Sequence, residues 1–149
     1  METEEERWPT IDRLVNESHD LWEKTDVRFA GLLEKISDHQ RVAMLCAKLN
    51  YQVENGGFDQ WYVNEYGKEG PVDQLDRFLM LVGTPHALEV AEMIQKFKNI
   101  VDRYGNYSND ADDGESTEYM TRVDELDSAF YKINTAFMDG VESWLSARA

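Results

Sequence analysis

Two adjacent glycines, Gly56-Gly57, interrupt an otherwise helical pattern and constrain the fold more than any other feature of the chain. Glycine costs up to about 1 kcal/mol relative to alanine in a helix interior and allows positive φ, so the pair marks a forced turn. Upstream, Val42, Leu45, Leu49 and Val53 recur at helical spacing, and downstream Phe58, Trp61 and Tyr62 do the same. The turn therefore joins two helices. Asn55-Gly56-Gly57-Phe58 reads as a structural turn that carries Phe58 and Trp61 into a core.

Around this turn the chain reads as helices throughout. An acidic tail, residues 1–7, precedes Trp8-Pro9-Thr10, which opens a helix with the apolar stripe Ile11, Leu14, Val15, Ser18, Leu21 and Trp22. Thr25-Asp26 predicts the start of a helix carrying Phe29, Leu32, Leu33 and Ile36. Ser37 with Gln40 has the form of a capping box opening the helix that ends at the glycines. Beyond the Gly67–Pro71 loop, Val72, Leu75, Phe78, Leu79 and Val82 form a stripe that Gly83 stops. Thr84-Pro85 starts the next helix, with Leu88, Ala91, Ile94, Phe97, Ile100 and Val101 on its apolar side. Residues 103–116 read as an exposed acidic loop. The longest helix follows, with Met120, Val123, Leu126, Phe130, Ile133, Phe137, Val141, Trp144 and Leu145 facing inward and Gly140 as a weak point. The expectation is one all-α domain over residues 1–149, a bundle of six or seven helices around a Gly-Gly helical hairpin.

Charge bounds the partners. With 30 Asp and Glu against 15 Lys and Arg, the chain carries a formal charge of −15, while 42% hydrophobic residues mark it as folded. Proteins bind nucleic acid largely through Lys and Arg that release counterions, so direct nucleic-acid binding is disfavoured. Anionic membrane surfaces are disfavoured for the same reason. A basic protein surface is what such a charge attracts. The amino end lacks an apolar run and no segment reads as a membrane span, so the chain is expected to be cytoplasmic.

Signals for catalysis are weak. His19, His39 and His86 are scattered, with no second His or Cys at ligand spacing, so no metal set is visible. Cys46 has no neighbouring histidine and reads as a small apolar core residue. The glycine turn lacks the lysine of a phosphate-binding loop. Placing Gly114 at position six of a calcium loop puts Ala111 at three and Met120 at twelve, which removes two ligands. No cofactor and no enzymatic activity are expected.

The acids themselves are unevenly placed. Between residues 102 and 127 lie Asp102, Asp110, Asp112, Asp113, Glu115, Glu118, Asp124, Glu125 and Asp127 against only Arg103 and Arg122, a local charge of −7. Carboxylates three or four residues apart on a helix share a face at about 6 Å along the axis, and duplex DNA also presents closely spaced negative charges. The plain alternative is a solvated helix face.

The string Val53-Glu54-Asn55-Gly56-Gly57-Phe58-Asp59-Gln60, with Trp61, Tyr62 and Asn64 behind it, resembles the signature of a bacterial all-helical family that includes a DNA-mimic protein. The resemblance extends through Leu79-Met80-Leu81-Val82-Gly83 and Leu126-Asp127-Ser128-Ala129-Phe130-Tyr131, covering roughly residues 40–145. It implies an acidic protein that occupies the DNA-binding surface of a basic repressor, nuclease or similar partner, and the placement of the charges in this sequence offers the nine acids of residues 102–127, and those of the first helix, as that surface. A second reading is a neutraliser of a basic toxin or other protein. A third is a small-ligand protein or enzyme with Asn55, Gln60, Tyr62 and Asn64 around a pocket at the turn. A homodimer would lengthen an acidic surface, although nothing in the pattern demands one.

Overall fold

The computed structural model describes residues 7–64, 71–104 and 113–148, with only the backbone described for 71–73 and 113–117. The acidic tail apart from Arg7, most of the Gly67–Pro71 loop, and Asp110 and Asp112 lie outside the described residues. Among the described residues six helices follow one another: α1 Pro9–Glu23, α2 Phe29–Leu33, α3 Asp38–Val63, α4 Pro71–Val82, α5 Pro85–Tyr104 and α6 Asp113–Ser146. Among the described residues there is no strand and no helix long and apolar enough to cross a membrane.

The start signals operate as local chemistry. Ser37 Oγ accepts the Gln40 N–H at 3.2 Å, and Gln40 Oε1 accepts the Ser37 N–H at 2.9 Å, so both halves of the capping box are formed. Thr84 Oγ1 accepts from the Ala87 N–H ahead of Pro85 in the same manner. The expected start at Thr25-Asp26 is not used. Thr25 instead closes α1, its N–H and hydroxyl both donating to the Trp22 carbonyl at 3.1 Å, and α2 begins four residues later. Nor is all of 103–116 irregular: α5 continues to Tyr104 and α6 already begins at Asp113, so Asp113 and Glu115 are helical.

α3 is one helix in name and two in shape. At Gly56 and Gly57 the backbone leaves helical geometry, with Gly57 at φ 80, ψ 179. A straight helix would separate residues 52 and 64 by about 18 Å along its axis. Yet Gln52 Oε1 accepts both Gln60 Nε2 and Asn64 Nδ2, each at 2.8 Å, so the chain folds back on itself. The conformation at Gly57 is one that essentially only glycine adopts, and a Cβ there would collide with the Asp127 carboxylate.

The bend delivers Phe58 and Trp61 into the centre of the bundle, where both are fully buried. The Phe58 ring lies 5.8 Å from Phe97 of α5, 5.7 Å from Phe130 of α6 and 6.3 Å from Trp61. The Phe58–Phe97 pair is stacked and the other two are edge-on, and aromatic pairs of these kinds add about 0.5–1.5 kcal/mol each beyond their buried area. One contiguous apolar cluster continues from here through Leu32, Leu33, Leu49, Leu79 and Val141. Cys46 is buried within it, and burial pushes its thiol up to about 12, the behaviour of a small apolar residue. Two stripes depart from expectation. Leu88 is exposed while Ala87 and Val90 face inward, and Met120 is exposed while Tyr119 beside it is buried.

Candidate functional site

The long helix α6 organises the carboxylates. Its acids do not form one continuous strip. At about 100° per residue, Glu118 and Glu125 fall on nearly the same side, Asp127 on the opposite one, and Asp124 between. Glu125 is exposed and lines the seam against α5, beside Lys96 and Arg103. Glu118 on that same side accepts Arg122 Nε at 2.7 Å. Asp124 and Asp127 instead face the Gly56–Gly57 bend, where they meet Asp59 of α3. Asp102, at the end of α5, is exposed.

Asp127 was expected on the exposed acidic face and is turned inward. Its Oδ1 accepts the Phe58 N–H at 2.8 Å. The residues after Gly57 restart a helix whose first N–H groups have no partner in their own chain segment, and Asp127 supplies one from 69 residues away. The cost appears in its proton affinity. Burial raises the Asp127 pKa from the ordinary 3.8 to about 6, the Phe58 N–H opposes that rise, and Asp124 and Asp59 add to it. Beside it, the Tyr119 hydroxyl donates to Asp59 Oδ1 at 2.6 Å. Burial, that hydrogen bond and the surrounding carboxylates hold the Tyr119 phenol well above its usual range. These groups surround a small hollow of about 280 Å³. Its acids come from two segments far apart in sequence, and no local spacing points to Asp59.

The other end of α6 uses carboxylates similarly. Glu142 accepts the N–H groups of Thr10 at 3.0 Å and Ile11 at 2.9 Å, capping α1, which has no side-chain cap of its own. Asp139 accepts Arg7 at 3.2 Å and the Trp8 indole N–H at 2.8 Å, and these donors hold its carboxyl below the ordinary range. Neither Asp139 nor Glu142 has a sequence signal for this role, since their partners stand more than 130 residues away.

Three of the four polar groups proposed for a pocket at the turn are otherwise engaged. Gln60 and Asn64 bond to Gln52, Tyr62 packs edge-on against Phe97 at 5.5 Å, and Asn55 is exposed. Across the same junction, Asn134 Nδ2 donates to Asn50 and Glu54, and the Tyr131 hydroxyl donates to the Val53 carbonyl at 2.8 Å. These bonds fasten α6 to α3. The histidines are separate: His19 stacks on Trp22, His39 meets Trp144 edge-on, and His86 pairs with Glu89. Among the described residues no group of three His, Cys, Asp or Glu is placed to hold a metal ion.

Among the described acids of residues 102–127, those at the surface are Asp102, Asp124 and Glu125, with Glu118 shared with Arg122. α1 adds exposed Glu17 and Asp20, and half-buried Asp12, around one shallow depression. No curated protein and no solved structure matches the chain. A family model does, over residues 34–148, which takes in the glycine bend, the aromatic core and all of α6. The chain belongs to the DMP19-like protein family.

Proposed function

We propose that this protein is a DNA mimic that binds the basic surface of a DNA-binding protein and blocks its access to DNA. Membership of the DMP19-like family, which suggests a DNA-mimic protein, is the observation that carries the reading. The charge of −15 and the placement of exposed carboxylates on rigid helices support it. Along α6, Glu118, Asp124 and Glu125 are spread over about 10 Å at 1.5 Å per residue, and Asp102 extends the set across the end of α5. A groove that neutralises duplex phosphates would meet charges of the same sign at comparable intervals. Asp110, Asp112, Asp113 and Glu115 belong to the same acidic run and are proposed to extend it. Asp127 is not assigned to the surface, because its carboxylate holds the Phe58 N–H.

The test is competition. A basic DNA-binding protein recovered on the immobilised full chain should be released by excess duplex DNA, and its affinity should fall steeply with salt, since exposed charges are screened beyond about 8 Å at physiological ionic strength. Reversing Asp124 and Glu125 to lysine should abolish capture while leaving the helical circular-dichroism signal intact. A partner that DNA does not displace, and that these reversals leave bound, would replace this reading with the neutraliser of a non-nucleic-acid partner.

A further inference from the structure

Cations are scarce in this chain, yet three of the 15 line one groove. Lys96, Asn99 and Arg103 descend one side of α5 at helical spacing. Arg122, Glu125, Leu126 and Ala129 face them from α6, and Ile100 with Leu126 and Ala129 gives the groove an apolar floor. Its volume of about 470 Å³ falls in the range of small-molecule sites.

The cations are arranged around a ring. The Arg103 guanidinium carbon lies 5.4 Å from the centroid of Tyr104 and that of Arg122 lies 5.7 Å from it, so one half-buried aromatic orients both side chains. Arg122 is further held by Glu118. Among the described residues, no carboxylate stands within ion-pair distance of Lys96 or Arg103. The walls thus present three cations against Glu125, with Arg122 already paired to Glu118, in a protein whose overall charge has the opposite sign. Like charges gathered on facing helices oppose one another, and a bound anion would relieve that opposition. A guanidinium offers paired N–H donors that match phosphate and carboxylate oxygens.

We propose that the groove between α5 and α6 binds a small organic anion, a phosphate or carboxylate carried on a flat apolar body, with Lys96, Arg103 and Arg122 holding the charge and Ile100, Leu126 and Ala129 covering the body. The apolar floor excludes a bare ion as the natural occupant, because inorganic phosphate would leave it unfilled. Asn99 supplies a polar edge to orient the body. Binding here rests on the cations and the apolar floor, whereas DNA mimicry rests on the carboxylates, and Glu125 belongs to both surfaces.

The experiment is a titration of the isotope-labelled full chain followed by amide NMR, with adenosine monophosphate and 2-naphthoate as the two anionic probes and adenosine and inorganic phosphate as controls. At least one anionic probe should shift the Ile100, Leu126 and Ala129 signals saturably, with Kd at or below about 1 mM, and each control should bind at least tenfold more weakly. A response to the nucleotide alone assigns the phosphate source, and a response to naphthoate alone the carboxylate source. The double variant Lys96→Gln/Arg103→Gln should weaken binding at least tenfold. Ala129→Phe, which fills the floor and keeps every charge, should do the same. Silence of both anionic probes overturns the proposal, as does binding undiminished in both variants, with an unchanged circular-dichroism spectrum showing that the variants are folded.

Discussion

The two halves of α6 use the same residue type in opposite ways. Asp127 in the first half and Asp139 in the second each accept a hydrogen bond from the start of another helical segment. Asp127 sits half-buried among other carboxylates with one backbone N–H, and burial raises its pKa to about 6. Asp139 lies near the surface with Arg7 and the Trp8 indole, and those donors lower it. What separates them is whether the donor brings charge and whether water still reaches the acid. A carboxylate of the acidic face and a carboxylate of the framework are therefore distinguishable by their surroundings, not by their letter in the sequence.

The most disruptive way to break this contrast is at the glycine that faces Asp127. Gly57→Ala forces a side chain into a backbone conformation it rarely adopts and drives its Cβ into the Asp127 carboxylate. The expected loss is roughly 3 kcal/mol in urea unfolding. Next in size, Glu142→Ala should cost about 1–2 kcal/mol by the same measurement, because two N–H groups of α1 lose their acceptor.

Titration sharpens the contrast further. The folded-state pKa of Asp127 lies above its ordinary value, so below 3.8 the group is protonated in both states and imposes no penalty. As pH rises from 3.8 to about 6 the unfolded chain releases its proton first and stability falls, and above that range the penalty is constant. Asp127→Asn keeps an oxygen for the Phe58 N–H and removes the charge. It should leave stability at pH 7 equal to or above that of the parent, and unfolding followed from pH 4 to 7 should lose this descending component. For Asp139 the sign is opposite: its lowered pKa contributes stability above the ordinary value that is lost as pH falls through the folded one. Asp139→Asn should have the smallest effect, at most about 0.5 kcal/mol at neutral pH, because an exposed ion pair is worth little.

The legible parts of the sequence were those set by short-range geometry. The glycine bend, the Ser37–Gln40 box, the Thr84-Pro85 start and the buried Cys46 each depend on residues a few positions apart, and each is formed. Thr25-Asp26 failed because its own side chain and N–H found a nearer use at the Trp22 carbonyl. The stripes slipped by one at Leu88 and Met120, where a neighbouring residue faces the core. The acidic run was visible as a composition, but its division was not. Which acids point outward depends on where α5 and the Gly57 bend meet α6, and the partners of Asp127, Asp139 and Glu142 lie 69 to 132 residues away.

That reliance on α6 carries a consequence for how the chain is made. A ribosome releases residues in order, at roughly 10 per second, so α1 emerges some ten seconds before the glutamate that caps it, and the bend at Gly57 several seconds before Asp127. During that interval the face of Phe58 that later meets Phe130 has no covering helix. Long-range closure of this kind makes assembly await the synthesis of α6. A nascent chain halted before residue 113 would therefore present aromatic surface to chaperones, and addition of α6 would withdraw it.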